Sequence, residues 1–138
     1  MPVVDASVVV DWVAPDADPR GPARRFLNEL VRTDSIVRAP RLLLEEVSNA
    51  LLTGVRRNRW TGGEADHAFE LIRALPVDLV DERADLARAW ELSRRYDEHP
   101  IYDMVYVALA DRIDEQMFTA DTRLLAKLAG RGNVADLE

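Results

Sequence analysis

Met1-Pro2-Val3-Val4-Asp5-Ala6-Ser7-Val8-Val9-Val10-Asp11-Trp12 is the stretch on which the fold turns. Val3 and Val4 form a short β-branched run that stops at Asp5, a residue suited to turns and helix N-caps, and a second apolar run begins at Val8. The pattern describes a buried strand that delivers a carboxylate at its carboxyl end, with a short helix from Ser7 to Val13 behind it. Open α/β sheets bind ligands at that end, so other acids delivered to the same edge are the candidates for function.

Late in the chain, Met117-Phe118-Thr119-Ala120-Asp121 repeats the order of strand, carboxylate and helix. Between the two lie alternating strand and helix signals. A helix is expected from Pro22 to Arg32, with Phe26, Leu27, Leu30 and Val31 on one face, then a strand over Ser35 to Ala39. Pro40 is expected to open a helix running to about Arg57, whose apolar face holds Leu43, Val47, Ala50, Leu51 and Gly54. Glu46 falls at the edge of that face and Glu45 nearly opposite, which places Glu46 beside the core; Asn49 and Thr53 extend its polar edge. Thr61 and Glu64 have capping-box spacing ahead of the next helix. Val77 to Val80 reads as a strand, with Asp81 as the expected cap of a helix over Glu82 to Tyr96 that carries Leu86, Ala89, Trp90 and Leu92. Pro100 to Ala110 is apolar on nearly every side and reads as a buried helix in which Asp103 is the exception. Val134 to Leu137 is a candidate edge strand. The alternation implies an α/β fold: one domain over residues 1–138, built as an α/β/α sandwich around a central parallel sheet of four to five strands.

Composition removes several chemistries. The chain of 138 residues has no cysteine, so disulfides, thiol nucleophiles and thiolate metal sites are excluded. His67 and His99 are the only histidines, too few for a histidine-rich zinc site. A bound metal must then be held by oxygen, which favours magnesium or manganese. No basic segment precedes an apolar core near Met1, and the longest uncharged apolar run, Met104 to Ala110, is far short of the ~20 residues of a membrane span. A cytoplasmic protein with no membrane partner is expected. The formal net charge of −7 weighs against a nucleic-acid partner. Divalent cations in a local site reverse that sign where it matters, and arginines do cluster at Arg24-Arg25, Arg56-Arg57-Arg59 and Arg94-Arg95.

Each acid taken alone has a structural explanation: a helix cap for Asp5, Asp103 or Asp121, a boundary glutamate for Glu46. Asp103 is the most demanding, because an unpaired buried carboxylate costs several kcal/mol and needs a cap, a pair or a metal. Together, four carboxylates in one cleft would raise one another's pKa unless cations neutralised them. Two divalent ions, ~3.5–4 Å apart, would balance the charge, activate a water and stabilise the leaving oxygen in phosphodiester hydrolysis.

Four segments also carry a resemblance. Val3-Val4-Asp5-Ala6-Ser7, Glu46-Val47-Ser48-Asn49-Ala50-Leu51, Tyr102-Asp103-Met104-Val105-Tyr106-Val107-Ala108-Leu109-Ala110 and Thr119-Ala120-Asp121-Thr122-Arg123-Leu124 resemble, in order, the four motifs of the PIN-domain ribonucleases, most closely the VapC toxins of bacterial toxin–antitoxin pairs. The match extends over almost the whole chain in length and motif spacing. The resemblance implies a magnesium- or manganese-dependent endoribonuclease using two ions with substrate. By position, Asp5, Glu46, Asp103 and Asp121 would be the metal-binding acids, Ser7 and Thr119 the supporting hydroxyls, and Asn49 the companion of Glu46. It also implies a homodimer and a small VapB-type antitoxin whose arginine reaches the acids, a pairing that guanidinium and carboxylate make well. Trp12, Leu44 and Leu52 are candidate apolar contacts for such a partner. The competing readings are a non-catalytic acidic binding module and a receiver-like signalling domain. The second needs a lysine at a late strand end, whereas the only lysine, Lys127, falls in an expected helix.

Overall fold

The computed structural model describes residues 1–137. Its centre is β1 (Val3–Val4), with both valines wholly buried. The chain continues through α1 (Ala6–Val13), α2 (Pro22–Arg32), β2 (Val37–Pro40), α3 (Leu43–Arg56) and α4 (Gly62–Leu71), then one 3₁₀ turn at Ile72–Ala74. The second half holds β3 (Val77–Val80), α5 (Asp85–Arg95), α6 (Ile101–Ile113), β4 (Met117–Phe118), α7 (Thr122–Lys127) and β5 (Val134–Ala135).

The five strands form one parallel sheet in the order β3-β2-β1-β4-β5, flanked by helices. Sequence order runs outward from β1 to β3 on one side and restarts at β4 on the other. The crevice at the carboxyl ends of β1 and β4 is therefore the switch point at which such sheets bind ligands. Asp5 follows β1 there and Asp121 follows β4. Val3 pairs with Met117 and Val4 with Phe118, so the two acids share one sheet edge.

Helix α6 packs against β1, β2 and β4. Met104, Tyr106, Val107, Ala108, Leu109 and Ala110 are all buried, which explains why this helix lacks a polar stripe. Helix α5 lies on α6, and Asp85 anchors it there by accepting two hydrogen bonds from Arg112, at 2.7 and 3.1 Å. Helix α1 contacts α2, α3 and α4.

Several local expectations yield to sheet pairing and to long-range contacts. Pro40 does not open a helix; it is the last residue of β2, in register with Val80. Arg38 donates its N–H to Pro2, and two residues on Pro40 has no N–H to continue that ladder, so pairing with β1 stops. Asp81 caps no helix. The chain turns through Glu82, whose carboxylate accepts the Ala84 N–H, and α5 starts at Asp85. Val31, Leu86 and Trp90 face solvent. Trp12 is buried, its indole N–H donating to the Ala23 carbonyl at 2.8 Å, so it offers no surface to a partner; Leu52 does remain exposed. The Thr61/Glu64 capping box forms as expected. Among the described residues no helix is long and apolar enough to cross a membrane.

Candidate active site

Asp5 leaves β1 in extended backbone and caps α1, accepting the Val8 N–H at 3.3 Å. Its carboxylate also accepts two hydroxyl protons, from Ser7 on Oδ1 and from Thr119 on Oδ2, each at 2.5 Å. The hydroxyl oxygens in turn accept backbone N–H groups: Ala120 donates to Ser7 at 2.8 Å and Asp121 to Thr119 at 3.0 Å. Each hydroxyl thus passes its single proton to Asp5 while receiving one from the β4 loop. The arrangement fixes the direction of all four bonds and ties the ends of β1 and β4 together.

Burial pushes the Asp5 carboxyl up to about 6 from its ordinary 3.8. The hydroxyls and the Val8 N–H counter part of that rise, and the Asp103 charge adds to it. Glu46, on α3, stands at the edge of the core as its helical phase predicts, with Glu45 exposed. Its pKa is also raised, first by burial and then by the charges of Asp103 and Asp5, with the Tyr106 hydroxyl offsetting some of the effect. Tyr106, one turn beyond Asp103 on α6, feels all three acids, and burial with their negative charge pushes its phenol well above the ordinary value. Asp5, Glu46 and Asp103 therefore share one electrostatic neighbourhood. Although Tyr106 faces Glu46, neither its hydroxyl nor Glu46 Oε1 completes a hydrogen bond of normal geometry among the described residues, and both atoms are buried.

Asp103 lies in the first turn of α6 but is not its cap; Pro100 occupies that position, and Asp103 Oδ2 is 2.6 Å from His99 Nε2. Asp121 reaches the same crevice by its backbone, while its Oδ1 accepts the Arg123 and Leu124 N–H groups at 3.0 and 3.2 Å and so caps α7. Asn49 is exposed on α3, one turn from Glu46. Among the described residues no three acids or histidines are placed to share one ion. Asp5, Asp103 and Asp121 are each held by local hydrogen bonds; Glu46 carries the orphaned oxygen.

The donor set fits a hard divalent cation all the same. It is made wholly of carboxylate oxygens, two of the acids are disfavoured as anions where they stand, and one buried oxygen lacks a partner. The arginine clusters behave largely as solvated helix ends: Arg59 pairs with Asp16 at 3.0 Å and lies over the Trp60 ring, Arg94 pairs with Glu98, and Arg56 donates to Thr53.

His99, Tyr106 and Lys127 are site neighbours that sequence reasoning missed. Tyr106 is three residues from Asp103 and His99 four, spacings that share a helix face. Pro100 obscures the second relation by ending the helical pattern between them.

The PIN-domain family model matches residues 3–130. Ribonuclease VapC1 of Mycobacterium tuberculosis is 35% identical over 129 residues, spanning 90% of this chain and 88% of that protein. Among solved structures, a chain described as a toxin–antitoxin complex from Klebsiella pneumoniae superposes with a TM-score of 0.69 at 17% identity, covering 100% of this chain and 98% of that one. VapC20 of Mycobacterium tuberculosis, described as a toxin that cleaves the sarcin–ricin loop, superposes with a TM-score of 0.66 at 20% identity, over 91% and 94% of the two chains. These two structural likenesses speak for the fold alone.

Proposed function

The chain belongs to the PIN-domain family, among its VapC ribonucleases, and from that footing we propose that it is the endoribonuclease toxin of a toxin–antitoxin pair, dependent on Mg²⁺ or Mn²⁺. The observation that carries the metal dependence is Glu46, whose buried Oε1 faces the Tyr106 hydroxyl without a hydrogen bond of normal geometry and whose pKa is raised by burial and by the charges of Asp103 and Asp5. Asp5 and Asp103 would hold one such ion, Asp121 would complete its set, and Glu46 would act on a second ion or through a water. When bound, such ions lower the pKa of water and offset charge on the attacking and leaving oxygens.

The chain's own residues perform the rest. Ser7 and Thr119 hold the Asp5 carboxylate in one orientation, and the β4 loop that supplies their N–H donors keeps Asp121 within the same crevice. The substrate is RNA, cut in single-stranded segments that enter this cleft. The nuclease domain spans residues 1–138 and acts as a homodimer in the cytoplasm.

Neutralisation by an antitoxin follows the same chemistry. A basic partner suits a chain with net charge −7, and an arginine pairs readily with carboxylates that otherwise hold metal. A groove lined by Leu44, Phe69 and Ile72, with Arg41, Glu45 and Arg73 around it, offers an apolar seat for that partner.

The test is to free the purified chain of any bound partner and incubate it with mixed RNA, in Mg²⁺ or Mn²⁺ and in EDTA, beside Asp103→Asn. Cleavage is expected only with metal, and the variant is expected to lose at least about a hundredfold in rate, since metal stabilisation of transition-state charge is worth several kcal/mol. Cleavage that persists in EDTA, or a fully active variant, would falsify the mechanism.

A further inference from the structure

His99 lies between α5 and α6, and its side chain is largely buried at 16% exposure. The turn that brings it there contains Asp97 at φ 60° and Glu98 at φ 55°, two successive non-glycine residues in the left-handed region. Such conformations are disfavoured for residues carrying a Cβ, so surrounding contacts must hold them. One such contact is the backbone bond from the His99 N–H to the Tyr96 carbonyl at 3.2 Å. A second is the Arg94–Glu98 pair at 3.2 Å, and further contacts are made by the His99 ring.

Nε2 lies 2.6 Å from Asp103 Oδ2, and Nδ1 lies 3.3 Å from Lys127 Nζ, at the end of α7. The same ammonium reaches the Tyr96 carbonyl at 3.5 Å. A lysine ammonium has donors and no acceptor, so Nδ1 must accept. The ring proton then sits on Nε2, aimed at a carboxylate oxygen that accepts it. Both ends of the ring thus specify one tautomer, and the order Lys127, His99, Asp103 forms a directed chain of hydrogen bonds from α7 to the cleft.

We propose that His99 is a positioning residue for Asp103: its Nε2–H holds Oδ2 and leaves the second carboxylate oxygen for the ion, while Lys127 fixes the tautomer that makes this possible. The inference rests on Asp103 being one of the acids that hold the divalent ion. Lys127 is thereby given a place that the metal-binding acids alone do not explain. Partners of this kind orient ligands without touching the metal, and their loss costs roughly 10–100-fold in metal affinity or activity.

Three variants separate this role from packing. His99→Phe keeps a ring and removes the donor; His99→Gln returns an N–H near the position of Nε2; Lys127→Met releases the tautomer lock and leaves the ring in place. Mn²⁺ affinity of each purified chain is measured by electron paramagnetic resonance, and kcat and KM for RNA cleavage are measured beside it. His99→Phe is expected to bind Mn²⁺ about 10–100-fold more weakly and to lose kcat by a similar factor, with KM for RNA within about twofold. His99→Gln is expected to recover most of both losses. Lys127→Met is expected to fall between, weaker by roughly threefold to tenfold, the worth of one hydrogen bond, and keeps the test readable if the phenylalanine variant does not fold.

A His99→Phe chain that binds Mn²⁺ and turns over like the wild type overturns the proposal. So does a His99→Gln chain no better than His99→Phe, because only shape would then matter. A wild-type chain that takes up no Mn²⁺ overturns the metal reading beneath it as well; uptake by the wild type with no change in the variants overturns the positioning role alone.

Discussion

Asp5→Asn is expected to remove RNA cleavage and, at the same time, to make the metal-free protein more stable at pH 8. The first effect follows from the proposed role of Asp5 as a charged ligand at the switch point and should reach at least about a thousandfold. The second follows from burial. Asp5 is 3% exposed and its carboxyl is pushed up to about 6 from 3.8, so above pH 6 the folded chain carries an anion that it would shed if it could. Taking 1.36 kcal/mol for each pH unit between 3.8 and about 6 gives a destabilisation on the order of 3 kcal/mol at pH 8. The sign follows from proton counts. Below about pH 3 both folded and unfolded chains hold the proton and the cost vanishes; between there and about pH 6 the folded chain holds more, so this group's contribution falls as pH rises. Asparagine keeps an acceptor for the Val8 N–H but turns a donor toward Thr119, which costs about 1 kcal/mol. Thermal melting in EDTA should therefore show the variant above the wild type at pH 8 by roughly 2 kcal/mol, with the gap falling below about 1 kcal/mol at pH 5. A variant that melts lower at pH 8 would show that the hydroxyl bonds outweigh desolvation.

Gly54→Ala should destabilise the protein, although helix propensity alone predicts the opposite. In an exposed helix the change gains about 1 kcal/mol. Here a Cβ on Gly54 would overlap the Trp60 indole at Cε2 and Cζ2 and come within 2.7 Å of Nε1. Trp60 cannot simply move aside. It is 6% exposed and its N–H donates to the Leu51 carbonyl at 2.9 Å, on the same helix that carries Glu46. Overpacking of this kind costs typically 1–3 kcal/mol and occasionally more. A net loss of about 2 kcal/mol, or a fall of roughly 4–8 °C in melting temperature, is expected. A melting temperature raised above the wild type would mean that Trp60 packs less firmly on α3 than the structure places it.

Both predictions draw on features of unequal legibility. The strand-to-acid order at Asp5 and again at Asp121 is a local pattern of valines, hydroxyls and turn residues, and it is readable because each strand ends where its acid begins. The phase of Glu46 against Glu45 is equally local, since one helix period decides which of two adjacent acids meets the core. Gly54 falls on the apolar face of α3 in sequence, but its reason is Trp60, which returns from beyond the helix end to cover it. Pro40 and Asp81 show the other limit. Both have strong local preferences, and both lose to register with a neighbouring strand or to an anchor such as Arg112 on Asp85, many residues away. Helical periodicity also named faces without naming what covers them: Trp12 finds the Ala23 carbonyl, whereas Trp90 finds solvent.

Within the site, residue types were legible and their present engagements were not. Asp121 reaches the crevice as its place after β4 implies, yet its carboxylate is taken up by the α7 N-terminus. His99 is invisible as a neighbour of Asp103 without the left-handed turn that returns it and the α7 lysine that orients it.

The most direct measurement is the anomalous signal of manganese in crystals of the wild-type chain grown or soaked with Mn²⁺. A peak enclosed by the carboxylates of Asp5, Asp103 and Asp121, with the Glu46 carboxylate turned toward it, is the expected result. Data from fully soaked crystals with no peak there, and with each acid still engaged in the hydrogen bonds described above, would contradict it.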